Sequence, residues 1–120
     1  MKPTIEATDW GSITINNTKY EHDVVIRLDG TVMKRHKNLS RAKYGTSHKI
    51  SLEEAIDVYD TDAKLLIIGT GQTDKVKLSK KAAQLFDEQK CKVQLLSTPK
   101  AIKAWNEASG KVIGMFHVTC

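Results

Sequence analysis

The chain has 120 residues, 40% hydrophobic and 28% charged, values ordinary for a globular domain. That length argues for one domain over residues 1–120, able to bury a core without a metal or disulfide staple. Nineteen Lys and Arg against 14 Asp and Glu give a net charge of +5, and no apolar run approaches the length of a membrane span.

Ser12 to Asn16 (SITIN) alternates apolar and polar residues, as a half-buried strand requires. Asn16-Asn17 supplies the left-handed conformations of a tight turn, with Thr18 to Glu21 returning as the partner strand. A second hairpin is predicted where HDVVIRL and TVMKR flank Asp29-Gly30. Residues 36–49 show neither period and read as a long loop.

From Ser51 the pattern changes. Ser51 and Glu54 fit a capping box, and Leu52, Ala55, Ile56 and Tyr59 then form one helical stripe. Leu65 to Ile68 is a continuous apolar run typical of a strand buried on both faces. Ser79 caps a second predicted helix with Ala82, Leu85 and Phe86 inward, and Val93, Leu95 and Leu96 belong to another buried strand. Thr98 at the N-cap and Pro99 at the first helical position open a third helix, which turns Ala101, Ile102, Trp105 and Ala108 to the core. Gly110 closes it, and Lys111 to Val118 makes a final strand. Strands alternating with about three helices predict an α/β domain with a mostly parallel sheet and N-terminal β-hairpins.

The loop in KLLIIGTGQTDKV lacks the GxxxxGK of a phosphate loop and the third glycine of a dinucleotide fingerprint. A narrower possibility is a small-anion or small-molecule site at the carboxyl edge of the sheet. Gly69, Thr70, Gly71 and the Thr98 helix start would form its floor, with Lys43, Tyr44 and His48 closing over it. The alternative is that these glycines only turn the chain and Thr98 only caps a helix.

No complete catalytic constellation is present. His117 and Cys120 would point to opposite faces of an extended strand, and a carboxylate beside Cys120 would raise its thiol's pKa. Cys91 reads as a small core residue, and Glu53, Glu54 and Asp57 as helix-start charges on a solvated face. Two cysteines and four scattered histidines without CxxC, HxH or HExxH spacing lead us to expect no metal and no cofactor. The absence of a signal-peptide pattern fits a reduced, cytoplasmic setting.

The basic excess is local. Lys34, Arg35, Lys37, Arg41, Lys43 and Lys49 lie in a stretch without one acid, and removing them leaves 13 basic residues against 14 acidic ones. Such a segment suits an acidic protein partner. Nucleic acid is the less favoured partner, because only Tyr44 is available there for stacking.

Four separated segments, LSRAKYGTSH (Leu39 to His48), IIGTGQ, STPKAIKAWNE and the final HVTC, together resemble the Mth domain family, a domain-of-unknown-function class. The likeness runs from about Trp10 to Cys120. It implies a three-layer α/β fold whose mixed sheet ends in a strand antiparallel to its neighbours, formed here by Lys111 to Val118. It implies no known substrate, cofactor or catalytic residue, and the family's eukaryotic relatives are discussed as assembly or regulatory factors. The residues falling on the shared motifs are Ser40, Lys43, Tyr44, Gly45, Thr46, His48, Gly69 to Gly71, Thr98, Asn106, His117, Thr119 and Cys120. The leading expectation is a non-enzymatic module that binds a protein, with no membrane partner.

Overall fold

In the computed structural model, which describes residues 2–120, the chain opens with strands β1 (Ile5–Asp9), β2 (Ser12–Ile15) and β3 (Thr18–Tyr20). It continues through β4 (Val24–Ile26), β5 (Val32–Lys34), helix α1 (Asn38–Tyr44), β6 (Lys49–Ile50) and α2 (Leu52–Val58). The second half runs β7 (Leu65–Thr70), β8 (Lys77–Leu78), α3 (Lys80–Glu88), β9 (Lys92–Leu96), α4 (Thr98–Glu107) and β10 (Val112–His117).

The main sheet has five strands in the order β5-β4-β10-β7-β9. Strands β7, β9 and β10 are parallel, while β4 is antiparallel to β10 and β5 to β4. One face buries Leu66, Ile68, Ile113 and Met115 against Ala55 and Val58 of α2 and Phe86 of α3. The other buries Ile67, Val112 and Phe116 against Ala101 and Trp105 of α4 and Ile13 and Ile15 of the small sheet β1-β2-β3. Adjacent residues of one strand thus feed opposite cores, as the two-residue period of a strand dictates. The result is the expected three-layer α/β arrangement, with a mixed sheet.

Several local expectations hold at atomic detail. Asn16 and Asn17 take φ values of 47° and 67°, and Ile15 pairs with Thr18 across them. Ser51 and Ser79 accept hydrogen bonds from the Glu54 and Ala82 amides, each at 3.1 Å. Trp105 and Cys91 are core residues.

Others are corrected. The final strand β10 is not antiparallel to its neighbours in general: it runs parallel to β7 and antiparallel only to β4, at the centre of the sheet. The reason is the connection, since α4 carries the chain back to the starting end before β10 begins. Among the described residues there are four helices rather than about three, because α1 occupies part of the stretch read as loop. Its only buried residue is the polar Ser40, so no apolar stripe announces it; Gly45, at φ 72°, closes it with an N–H to Arg41 O bond of 2.8 Å. Ile56 and Leu95, placed inward from the sequence, are 59% and 43% exposed. Among the described residues no helix is long and apolar enough to cross a membrane.

Candidate functional site

The glycine turn and the start of α4 meet, as the parallel pairing of Gly69 with Leu96 requires. Thr98 N donates to Gly71 O and Gly71 N donates to Thr98 Oγ1, both at 3.0 Å. The Thr98 hydroxyl in turn donates to His117 O at 2.6 Å. The residue therefore does not cap its own helix; Ser97 holds the N-cap position, without a side-chain hydrogen bond. Thr98 instead fastens three segments together.

What fills the turn is the end of the same chain. Gln72 N donates to Thr119 O at 2.6 Å, and Thr73 gives its N–H and its hydroxyl to Cys120 O at 3.2 and 2.9 Å. Gly71 has φ +106°, and a Cβ there would sit 2.2 Å from the Cys120 carbonyl carbon. The turn is glycine because another strand of backbone passes directly over it. Amides that a small anion would need are already used.

Beneath this lies a buried charge cluster. Arg35 is 2% exposed and donates from Nε to Glu54 Oε2 at 2.5 Å, from Nη1 to Asp23 Oδ2 at 3.0 Å and from Nη2 to Glu54 Oε1 at 3.0 Å. Its Nη2 also reaches Ser47 O at 2.7 Å. Ser40 Oγ donates to Glu54 Oε1 at 2.5 Å and accepts from Ser51 N at 2.9 Å. Asp23 Oδ1 accepts from Val118 N at 2.9 Å, and its Oδ2 lies 2.7 Å from His117 Nδ1. Among the described residues no buried side-chain polar atom lacks a partner. Burial alone would push the Asp23 carboxyl up, but the His117 hydrogen bond and charge, the Val118 amide and Arg35 together hold it down at about 2.

A carboxylate that only accepts fixes the histidine tautomer: His117 presents N–H to Asp23 from Nδ1 and leaves Nε2 facing the other way. On that side sit Thr119 Oγ1 at 3.2 Å and His48, whose ring stands edge-on at a centroid distance of 5.4 Å. One ligand atom from each of His48, His117 and Cys120 lies within 4.8 Å of the other two. Burial first, then the neighbouring His117 and Arg35, lower the His48 pKa.

The seven residues named from the sequence therefore divide. Gly69, Thr70, Gly71 and Thr98 share one corner: a Cβ on Gly69 would fall 2.9 Å from Thr98 Oγ1, and Thr70 Oγ1 donates to Asp74 Oδ1 at 2.5 Å. His48 is joined to that corner through His117 and Cys120. Lys43 and Tyr44 are not part of it. They line a separate recess of about 360 Å³ with Lys49, Leu78, Ser79, Lys80 and Lys81, and Lys49 Nζ stands 4.5 Å over the Tyr44 ring. The short α1 turns them there, whereas His48 comes after Gly45 has closed that helix and just before β6, which pairs with β8.

Three readings change as a consequence. His117 and Cys120 do approach each other, because the strand ends at His117 and residues 118–120 bend back over Gly71. Glu54 is not on a solvated face; it is fully buried and spends its carboxylate on Arg35 and Ser40. Arg35 is removed from the basic surface segment by the same pairing. No spacing links positions 23, 35, 54 and 117, so the cluster had no sequence signal; the one hint is an acid, Asp23, set directly against the apolar run Val24 to Ile26.

Comparison with known proteins agrees with this fold. The structure is similar to that of conserved hypothetical protein PH1505 from Pyrococcus horikoshii OT3, at 30% identity and TM-score 0.91, covering 98% of this chain and 99% of that one. It is similar also to MT938, at 32% identity and TM-score 0.82, over 99% of this chain and 100% of the other. A Bordetella pertussis protein described as a Mth938-like domain shares the fold at 15% identity and TM-score 0.65, over 97% of this chain and 85% of that one. The sequence profile of the protein of unknown function DUF498/DUF598 matches residues 5–117. With nearly the whole chain matched, the protein belongs to the DUF498/DUF598 family, the Mth domain class that its four sequence motifs resemble.

Proposed function

We propose that this domain works by binding a protein partner, at the groove between β5 and α2. The observation that carries the reading is a pair of large apolar side chains, Met33 and Ile56, 41% and 59% exposed on one groove of about 480 Å³. Scattered single apolar residues on a surface are ordinary, but two flanking one concavity suit the anchor of a docked segment. Arg27 and Lys34 line the same groove against one acid, Asp57, whose carboxylate is engaged by His36, so an acidic segment with apolar anchors is the fitting partner. Strand β5 lies at the sheet edge, which leaves its outer backbone available for pairing.

Affinity capture from the native host, with wild type beside a Met33→Asp, Ile56→Asp double variant, tests this. Both positions are exposed, so the variant folds; it should lose a partner that wild type retains at moderate salt. Equal recovery by the two proteins, or none by wild type at any salt concentration, overturns the proposal.

One observation favours a second reading, an anionic ligand such as a nucleic-acid phosphate. Lys43, Lys49, Lys80 and Lys81 line the recess beside Tyr44, and no acid is among its lining residues. Binding of single-stranded nucleic acid that weakens with salt, and weakens further in a Lys80→Ala, Lys81→Ala variant, would support it. Salt-dependent binding that is unchanged in the variant would reject this recess. The small-molecule site first placed on the glycine turn is disfavoured, since the chain's own residues 119 and 120 already take the turn's amides.

A further inference from the structure

The three side chains gathered above Gly71 go beyond partner binding. We infer that His48, His117 and Cys120 form a binding site for a thiophilic divalent cation, Zn²⁺ by the chemistry of its donors. Two imidazoles and a thiolate are a borderline-to-soft donor set, which carboxylate-preferring Mg²⁺ and Ca²⁺ do not seek. Three protein ligands leave one tetrahedral position for water or a further ligand, the pattern of an open zinc site rather than a closed structural one.

Two independent features of the structure support the assignment. The first is orientation. His117 is 2% exposed, and its Nδ1 is held 2.7 Å from the Asp23 carboxylate, which aims Nε2 at the cluster. A ligating histidine characteristically gives its other ring N–H to a carboxylate, which fixes the ring and raises its basicity. Arg35 and the Val118 amide hold that carboxylate in turn, so the outer support is in place without the ion.

The second is reach. Ligand atoms on a tetrahedral zinc, bound at about 2.0–2.3 Å, stand about 3.3–3.8 Å apart. Here they lie within 4.8 Å of one another, so closure asks for movements of about 1 Å. His48 and Cys120 are both partly exposed, and they sit outside the regular elements that fix His117. On binding, the Cys120 S–H gives its proton to solvent; as one sulfur and two nitrogen bonds form and the ion becomes four-coordinate, the hydrated ion keeps one water and releases the rest.

The test uses the full chain, reduced, titrated with Co²⁺ and then Zn²⁺. One equivalent of Co²⁺ should produce thiolate-to-cobalt charge-transfer and tetrahedral ligand-field absorption, and Zn²⁺ should bleach both. Cys120→Ser should abolish the charge-transfer band, His48→Gln should weaken binding by more than about tenfold, and Cys91→Ser should change neither. His48 and Cys120 are both partly exposed, and unchanged circular dichroism verifies that these variants fold. No band in wild type, a band that survives Cys120→Ser, or one lost in Cys91→Ser overturns the site.

Discussion

Replacing Arg35 by Met tests whether the buried charge cluster holds the fold together. The substitution keeps much of the side-chain volume but removes the one cation between Asp23 and Glu54, which are 4% and 0% exposed. Glu54 then stands in the interior without a counter-charge, Asp23 keeps only His117 and the Val118 amide, and four donated hydrogen bonds are lost. Breaking a buried pair from one side costs about 3–5 kcal/mol. A chain of this length has about 6–18 kcal/mol in total, so the variant should fold with a much lower midpoint. Urea unfolding followed by fluorescence of the buried Trp105 measures it. Adding Glu54→Gln should restore part of the loss, because it removes the stranded charge. A cost below about 1 kcal/mol, or no recovery in the double variant, would refute the account of Arg35 as the hub.

Wild type should also lose stability in acid through Asp23. Its pKa is lowered from 3.8 to about 2, so it contributes about 2 kcal/mol that is complete above about pH 4 and lost as pH falls through the folded value. Urea midpoints measured towards acid should therefore fall more steeply for wild type than for Asp23→Asn, and equal slopes would count against the mechanism. Gly71→Ala should cost about 1–3 kcal/mol in backbone strain and displace the passing chain, since its Cβ would overlap Cys120. Thiol labelling should then quicken at Cys120, read against the slow background of Cys91 at 3% exposure; an unchanged labelling rate would show that the contact does not hold the tail.

The legible parts of the sequence were those whose signals are local. Ser51 and Ser79 announced helix starts because a hydroxyl needs only the amide three residues on. Asn16-Asn17 announced a turn because two adjacent residues had to adopt positive φ. The run Leu65 to Ile68 and the following glycines correctly implied a buried parallel strand ending beside Thr98, because strand adjacency in a crossover fold follows from element order. Helix α1 was missed for the complementary reason: it turns a serine, not an apolar stripe, to the interior. Of the candidate site residues, the fold brings His48, the glycine turn and Thr98 to one corner and sets Lys43 and Tyr44 in a separate recess, a division that no local pattern encodes.

By itself, then, the order of residues determined the α/β class, three of the four helices among the described residues, the hairpin turns and the family. Only tertiary structure decided that Arg35 leaves the basic surface for the core, that Glu54 follows it, and that Cys120 comes to rest beside His117 and His48. Those pairings join positions as far apart as Asp23 and His117, a separation at which neither period nor capping carries information. What selects them is desolvation: a charge taken out of water must find its counter-charge wherever the fold brings one.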